Sequence, residues 1–253
     1  MTPLISLENL TKRYSGLTAV DNVSLDISAG SVVGLIGPNG AGKTTLVNLI
    51  SGSERPTEGS IVLDGVEVQQ LSPEQRSRAG LARTFQIVRV FHSLTLLENV
   101  KAAVMFGATR ERGRQAAKAR AEELLEQTGL INQQHRLAGE VNVPSQKRLQ
   151  IARSLATSPR LLMLDEAMAG LNHQEVDEAL VLLCAIRDQG VTLIVIEHLM
   201  RVVMNLCDRI VVLSQGRILA DGTAAEVTQN ADVISSYLGD RYMSRTRGTN
   251  AGS

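Results

Sequence analysis

Gly37-Pro38-Asn39-Gly40-Ala41-Gly42-Lys43-Thr44-Thr45 reads as G-x-x-x-x-G-K-T, the pattern of a phosphate-binding loop. Before it, Ser31-Val32-Val33-Gly34-Leu35-Ile36 is a short apolar run of the kind that forms a buried strand. After it, Leu46-Val47-Asn48-Leu49-Ile50-Ser51 reads as a helix that Gly52 ends. Strand, glycine loop and helix in that order are the context the motif requires. The glycines let the backbone turn tightly and aim successive N–H groups inward, and the helix N-terminus adds a positive dipole end. Gly37, Asn39, Gly40, Gly42, Lys43, Thr44 and Thr45 are the expected nucleotide contacts. Lys43 is expected to reach the β- and γ-phosphates, and the Thr44 hydroxyl to complete a Mg²⁺ ligand set.

A chain of 253 residues with 43% hydrophobic residues is long enough for one large α/β domain or a domain with a sizeable insertion. Aromatic residues are only 2%, so Leu, Val, Ile and Ala must fill the core. Lys plus Arg and Asp plus Glu are both 26. That balance argues against nucleic acid as the main partner, because binding a phosphate backbone needs a basic surface. Cys184 and Cys207 sit in apolar helical contexts and read as buried free thiols, and neither they nor the four histidines have metal-site spacing. The sequence has neither a membrane-spanning apolar run nor a signal-peptide core, so a cytosolic protein is expected, one that reaches a membrane only by docking to a partner.

Working outward, residues 4–7 and 20–27 alternate like half-buried strands, which places an antiparallel layer before the loop. Ser60-Ile61-Val62-Leu63 before Asp64-Gly65 reads as a strand entering a turn, and residues 81–86 as another strand. Ser72-Pro73-Glu74-Gln75 and Thr95-Leu96-Leu97-Glu98 carry helix-start signatures. From about residue 89 to 157 the pattern is helical: 95–106, 110–127 and 145–156. Arg110, Arg112, Arg114, Lys118 and Arg120 suggest nucleic acid, but Glu111, Glu122, Glu123 and Glu126 interleave with them, so a solvated helix face is the better reading. Apolar strands then return at 161–164, 191–196 and 209–213, alternating with helices, as in a parallel sheet covered on both faces. A hairpin arm is expected at 216–222 and a mobile tail at 241–253. The expected fold is α/β: a phosphate-loop parallel core (1–88 and 158–240), an antiparallel flank, and an inserted helical subdomain (89–157).

A phosphate loop needs a carboxylate on a neighbouring strand. Leu161-Leu162-Met163-Leu164-Asp165-Glu166 supplies two acids at the carboxyl end of a strand, where parallel sheets place ligands. Asp165 is the candidate metal residue and Glu166 the candidate base for the attacking water.

With these residues in place, the chain resembles the ATP-binding subunits of ABC transporters over about residues 4–239. The resemblance implies ATP and Mg²⁺ as ligands. It implies that Tyr14 stacks on adenine, that Gln86 senses Mg²⁺ and the attacking water, and that His198 contacts the γ-phosphate. Residues 82–86, 94–100, 168–172, 197–200 and 233–239 are similar to the ATPases of bacterial branched-chain amino-acid importers, a group that also handles urea and related amides. Lipopolysaccharide-export ATPases are the nearest competitor, and a non-transport ABC ATPase is a further alternative. The importer resemblance implies a second ATPase subunit, two membrane permeases and a periplasmic solute-binding protein. It also implies a location on the inner face of the cell membrane.

The resemblance departs most at one place. The family signature, usually L-S-G-G-Q, precedes a helix that here reads Gln146-Lys147-Arg148-Leu149-Gln150-Ile151-Ala152-Arg153. The signature positions are therefore Val141-Asn142-Val143-Pro144-Ser145. The family's serine and glycines clamp the γ-phosphate bound to the opposite subunit. Pro144 has no N–H, and Val143 resists glycine-like conformations. A heterodimer with one stronger and one weaker site is expected. Ala167, where Pro is common, and Asn172, where Asp is common, are smaller departures.

Overall fold

A computed structural model describes residues 2–107 and 113–238. The segment 110–112 and the tail 241–253 lie outside the described residues. Three strands are buried along their whole length: β3 (Val32–Ile36), β7 (Leu161–Asp165) and β8 (Thr192–Ile196). Such uniformly apolar strands belong at the centre of a parallel sheet. They form the sheet β10-β9-β3-β8-β7-β6, with β6 (Leu81–Arg83), β9 (Arg209–Ser214) and β10 (Arg217–Gly222) at its sides. Only β10 runs antiparallel there, as the hairpin partner of β9. A second, antiparallel sheet has the order β2-β1-β4-β5: β1 (Ile5–Tyr14), β2 (Leu17–Ile27), β4 (Glu58–Leu63) and β5 (Val66–Glu67).

Alternation along each central strand sorts its side chains between two cores. Val33, Leu35, Leu161, Met163, Ile194 and Ile196 join the antiparallel sheet and helix α1 (Lys43–Ser51). Val32, Leu162, Leu164, Leu193 and Val195 face the other way. There they meet α3 (Leu96–Phe106), α4 (Arg114–Gln127), α5 (Val143–Leu155) and α6 (His173–Asp188). Ile36, Ile210 and Val212 form a third cluster with α7 (Met200–Leu206) and α8 (Ala224–Gln229).

Caps set the helix ends. Ser72, Thr95, Asn172 and Thr223 each open a helix with a reciprocal capping box, the first of them α2 (Pro73–Arg78). Gly52, in the left-handed region, closes α1. The fully buried Arg76 of α2 donates to the last carbonyls of α1, including Ile50 O at 2.7 Å. Burial lowers its guanidinium pKa to about 10.

Four expectations need correction. The strand expected over 81–86 stops at Arg83. Thr84 still donates to Met163 O, but its Oγ1 then accepts the Asp165 N–H, which turns the chain out of the sheet. The helix expected from Ser145 starts at Val143, because Asn142 caps it and Pro144 fits the first turn. The helix after the phosphate loop starts at Lys43 rather than Leu46. Cys184 and Cys207 are free but only half-buried, and Cys207 lies just past the end of α7. Burial, helped by Asp208, pushes the Cys207 thiol up to about 12.

Candidate functional site

A cleft of about 670 Å³ opens above the carboxyl ends of β3 and β7. Tyr14, the loop residues 39–45, Gln86, Asp165, Glu166 and Gln215-Gly216 line it. The loop's shape rests on its glycines. A Cβ on Gly42, whose φ is +102°, would lie 2.3 Å from Ala19 O, and one on Gly37 would lie 2.2 Å from Leu213 O. The turn is locked from outside by Gly216 N–H donating to Ala41 O at 2.9 Å. No other backbone carbonyl among the described residues accepts from the N–H groups of Asn39, Gly40, Gly42, Lys43, Thr44 or Thr45. Helix α1 begins without a side-chain cap. Six donors and a helix dipole therefore converge on one cleft, which suits a polyphosphate. Lys43 folds over them, its Nζ donating to Gly37 O at 2.7 Å and Pro38 O at 3.0 Å. Burial pulls the Lys43 pKa down, while Glu166 and Asp165 act to raise it.

The acids stand across the cleft. Asp165 ends β7, and its Oδ2 accepts from Arg83 Nη2 at 2.7 Å. Glu166 takes the left-handed conformation, φ 48°, which is costly for a residue with a Cβ. Three contacts hold its backbone there: its N–H donates to Ile196 O at 2.9 Å, its carbonyl accepts the Ala169 N–H at 3.1 Å, and Lys147 Nζ lies 3.5 Å from that carbonyl. Gln86 Nε2 donates to Glu166 Oε2 at 2.6 Å, so the two residues expected to handle the attacking water already touch.

Among the described residues no group of three or more His, Cys, Asp or Glu could hold a metal alone. The hydroxyl of Thr44, the carboxylate of Asp165 and the amide of Gln86 are hard oxygen donors facing one polyphosphate cradle. They fit Mg²⁺ carried in by nucleotide phosphates, the usual way this ion is held.

Tyr14 lines the cleft at the end of β1, with its hydroxyl donating to Glu54 and Lys12 Nζ 5.0 Å from the ring centroid. His198 is exposed on the loop after β8 and does not line the cleft, although its neighbour Ile196 does. The signature residues are elsewhere too. Asn142, Pro144 and Ser145 line a separate polar hollow with Arg148, Asn172, Gln174, Glu175 and Glu178. Asn142 Oδ1 accepts the Ser145 N–H at 3.1 Å, and Pro144 has none, so the start of α5 keeps two free N–H groups, those of Asn142 and Val143.

Several residues of the site carry no motif. Arg83, Asn48, Glu54 and Lys147 act through contacts between distant segments, and Gln215-Gly216 meets the loop only in the folded sheet. Arg83 and Lys147 lie inside the sequence runs 82–86 and 146–153, which assign neither of them a role. Glu197, next to His198, is buried and accepts the Met168 N–H with Oε1 at 2.9 Å, while its Oε2 has no partner. Burial, with a smaller push from Glu166, raises its pKa.

Residues 20–169 match the sequence profile of the ABC transporter family, and residues 217–242 that of a branched-chain amino acid ATP-binding cassette transporter segment. A high-affinity branched-chain amino acid transport ATP-binding protein of Pseudomonas aeruginosa is 42% identical over 251 residues, covering 94% of this chain and 98% of that protein. The crystal structure of an ABC transporter ATP-binding cassette in its ADP conformation has a TM-score of 0.84 and 27% identity, over 94% of this chain and 100% of that one. A dimeric cassette in a post-hydrolysis state bound to ADP and Pi has a TM-score of 0.78 and 27% identity, over 87% of this chain and 98% of that one.

Proposed function

The chain belongs to the ATP-binding subunits of ABC transporters, and from that premise we propose that it hydrolyses ATP to power uptake of branched-chain amino acids. The observation that carries the reading is one cleft joining six unpaired loop N–H groups and Lys43 to Asp165, Glu166 and Gln86. The match of residues 217–242 favours branched-chain amino acids over amide import or lipopolysaccharide export.

In this reading Tyr14 stacks on the base, and residues 37–45 hold the phosphates. Thr44, Asp165 and Gln86 would hold Mg²⁺, which when bound neutralises phosphate charge. Glu166 accepts a proton from the attacking water, with Gln86 fixing one carboxylate oxygen and leaving the other for the water. His198, which stands outside the cleft in this structure, would contact the γ-phosphate from the loop after β8. Catalysis then rests on positioning and on charge already in place.

The nucleotide-binding core is residues 1–88 and 158–240, and the helical insertion 89–157 passes movement to two membrane permeases fed by a periplasmic binding protein. Among the described residues no helix is long and apolar enough to cross a membrane, which suits a subunit docked on the inner face. A second ATPase subunit supplies the missing half of the site. Because Asn142, Val143 and Pro144 offer a poor phosphate clamp, that subunit is a different chain with an ordinary signature.

The test is reconstitution. The chain is purified with the membrane proteins that accompany it, placed in liposomes, and assayed for ATP-dependent uptake of labelled leucine and urea. Leucine uptake that Glu166→Gln abolishes is expected. Uptake of urea alone, or failure of the chain to co-purify with any membrane protein, would refute the proposal.

A further inference from the structure

Arg83 stands behind the cleft, at the end of β6, and no motif assigns it a role. Its Nη2 donates to Asp165 Oδ2 at 2.7 Å, and the two side chains are only 9% and 10% exposed. Its Nη1 donates to Asn48 Oδ1 at 2.7 Å and lies 3.3 Å from Ser51 Oγ. The Phe85 ring covers it, with the guanidinium carbon 5.2 Å from the ring centroid. The guanidinium is therefore held on several sides, and a surface ion pair is not.

What it connects matters more than how well it is held. Asn48 lies four residues after Thr44 in α1, so the two share one helix face. Thr44 and Asp165 are two of the three metal residues proposed above, and they come from separate elements, α1 and β7. A shared apolar core packs α1 near β7. Arg83 ties their polar ends together: Asn48 grips it from α1, and it grips Asp165 on β7. With Oδ2 taken, Oδ1 is the Asp165 oxygen left for a metal.

We propose that Arg83 is a positioning residue that braces Asp165 against α1, so that Asp165 and Thr44 present a preformed pair of oxygens to nucleotide-bound Mg²⁺. This rests on the assignment of Asp165 to the metal. An arginine so close to the carboxylate also reduces its negative charge, an effect that opposes metal binding. The brace dominates because a carboxylate this buried, with its cation removed, is neither oriented nor compensated. Lysine replaces it poorly, since a single ammonium does not span Asn48 and Asp165 in a fixed fork.

The experiment measures binding of a fluorescent ATP analogue to the full chain in EDTA and across a Mg²⁺ titration, with melting temperature recorded for every variant. For Arg83→Met, affinity in EDTA stays within about twofold, and the Mg²⁺ concentration at half-effect rises roughly tenfold. Arg83→Lys gives a partial rise. Asn48→Ala gives a smaller rise with Arg83 intact, which keeps the test open if Arg83→Met does not fold. Asp165→Asn abolishes the Mg²⁺ effect. If Asp165→Asn changes nothing, the metal assignment itself falls. If Asp165→Asn acts while the Arg83 and Asn48 variants leave the Mg²⁺ midpoint unchanged, the brace is wrong. A lowered midpoint in Arg83→Met would make Arg83 a competitor of the metal and overturn the proposal.

Discussion

Two helix N-termini in this molecule have opposite fates. Helix α1 starts after a left-handed glycine, with no side-chain cap, and leaves a row of N–H groups facing a cleft. Helix α5 starts after Asn142, whose carboxamide takes the Ser145 N–H, and carries proline in its first turn. Both begin with the same dipole, but of the usual four first-turn donors α5 has only three, because Pro144 has none. At α1 the donors await a ligand. At α5 the chain has satisfied one of them and removed another itself. A helix end is better placed to bind anions when the sequence withholds the cap and the first-turn proline, as α1 does.

The comparison can be broken most severely at the acid. Glu166→Gln should lower ATP turnover of the assembled transporter by about 10²–10⁴-fold while nucleotide binding persists. Turnover near that of the parent would remove Glu166 as the base. Lys43→Ala should weaken binding of a fluorescent ATP analogue by roughly 10–100-fold, the worth of one charge-assisted contact of about 1.5–3 kcal/mol. Unchanged affinity would mean that the loop N–H groups suffice.

Reopening the second helix sharpens the contrast. Asn142→Ser, Val143→Gly and Pro144→Gly together restore donors at the start of α5. The ATPase rate of the chain on its own should rise roughly tenfold, on the order of one recovered charged contact. A rate that does not move would show that the closed helix end is not what limits it. Asn142→Ala removes only the cap and should cost about 1 kcal/mol of stability, read by thermal melting. An unchanged melting temperature would mean the cap bond carries no weight.

The smallest effect concerns Glu197, behind both halves. Its raised pKa means the folded chain holds a proton there that the unfolded chain releases. The associated stability is complete below the ordinary carboxyl value of about 4.3 and falls as pH climbs through the raised value. Glu197→Gln keeps an acceptor for the Met168 N–H and should flatten that fall, so the variant gains on the parent as pH rises. Parallel melting curves across pH would show that Glu197 does not titrate in this window.

Much of this was legible in the sequence because it is local. The phosphate loop, the capping boxes at Ser72, Thr95, Asn172 and Thr223, and the acids ending β7 are each written within a few residues. Boundaries slipped where a tertiary contact decides them. Thr84 leaves β6 early because its hydroxyl is taken by the Asp165 N–H, from a strand 81 residues away in sequence. Arg83, Asn48 and Glu54 were invisible as a group for the same reason. The closure of α5 was half legible: Pro144 announced a missing donor, but the capture of the Ser145 N–H by Asn142 depends on backbone geometry that residue types alone do not specify.

In the proposed heterodimer the two ATP sites are unequal, one built on this chain's loop and a partner's signature, the other the reverse. The most direct measurement is ATPase rate in the assembled transporter with the general base removed from one subunit at a time. Glu166→Gln is predicted to abolish nearly all hydrolysis, and the matching substitution in the partner to leave a substantial rate. Equal losses from the two, or a larger loss from the partner's, would contradict it.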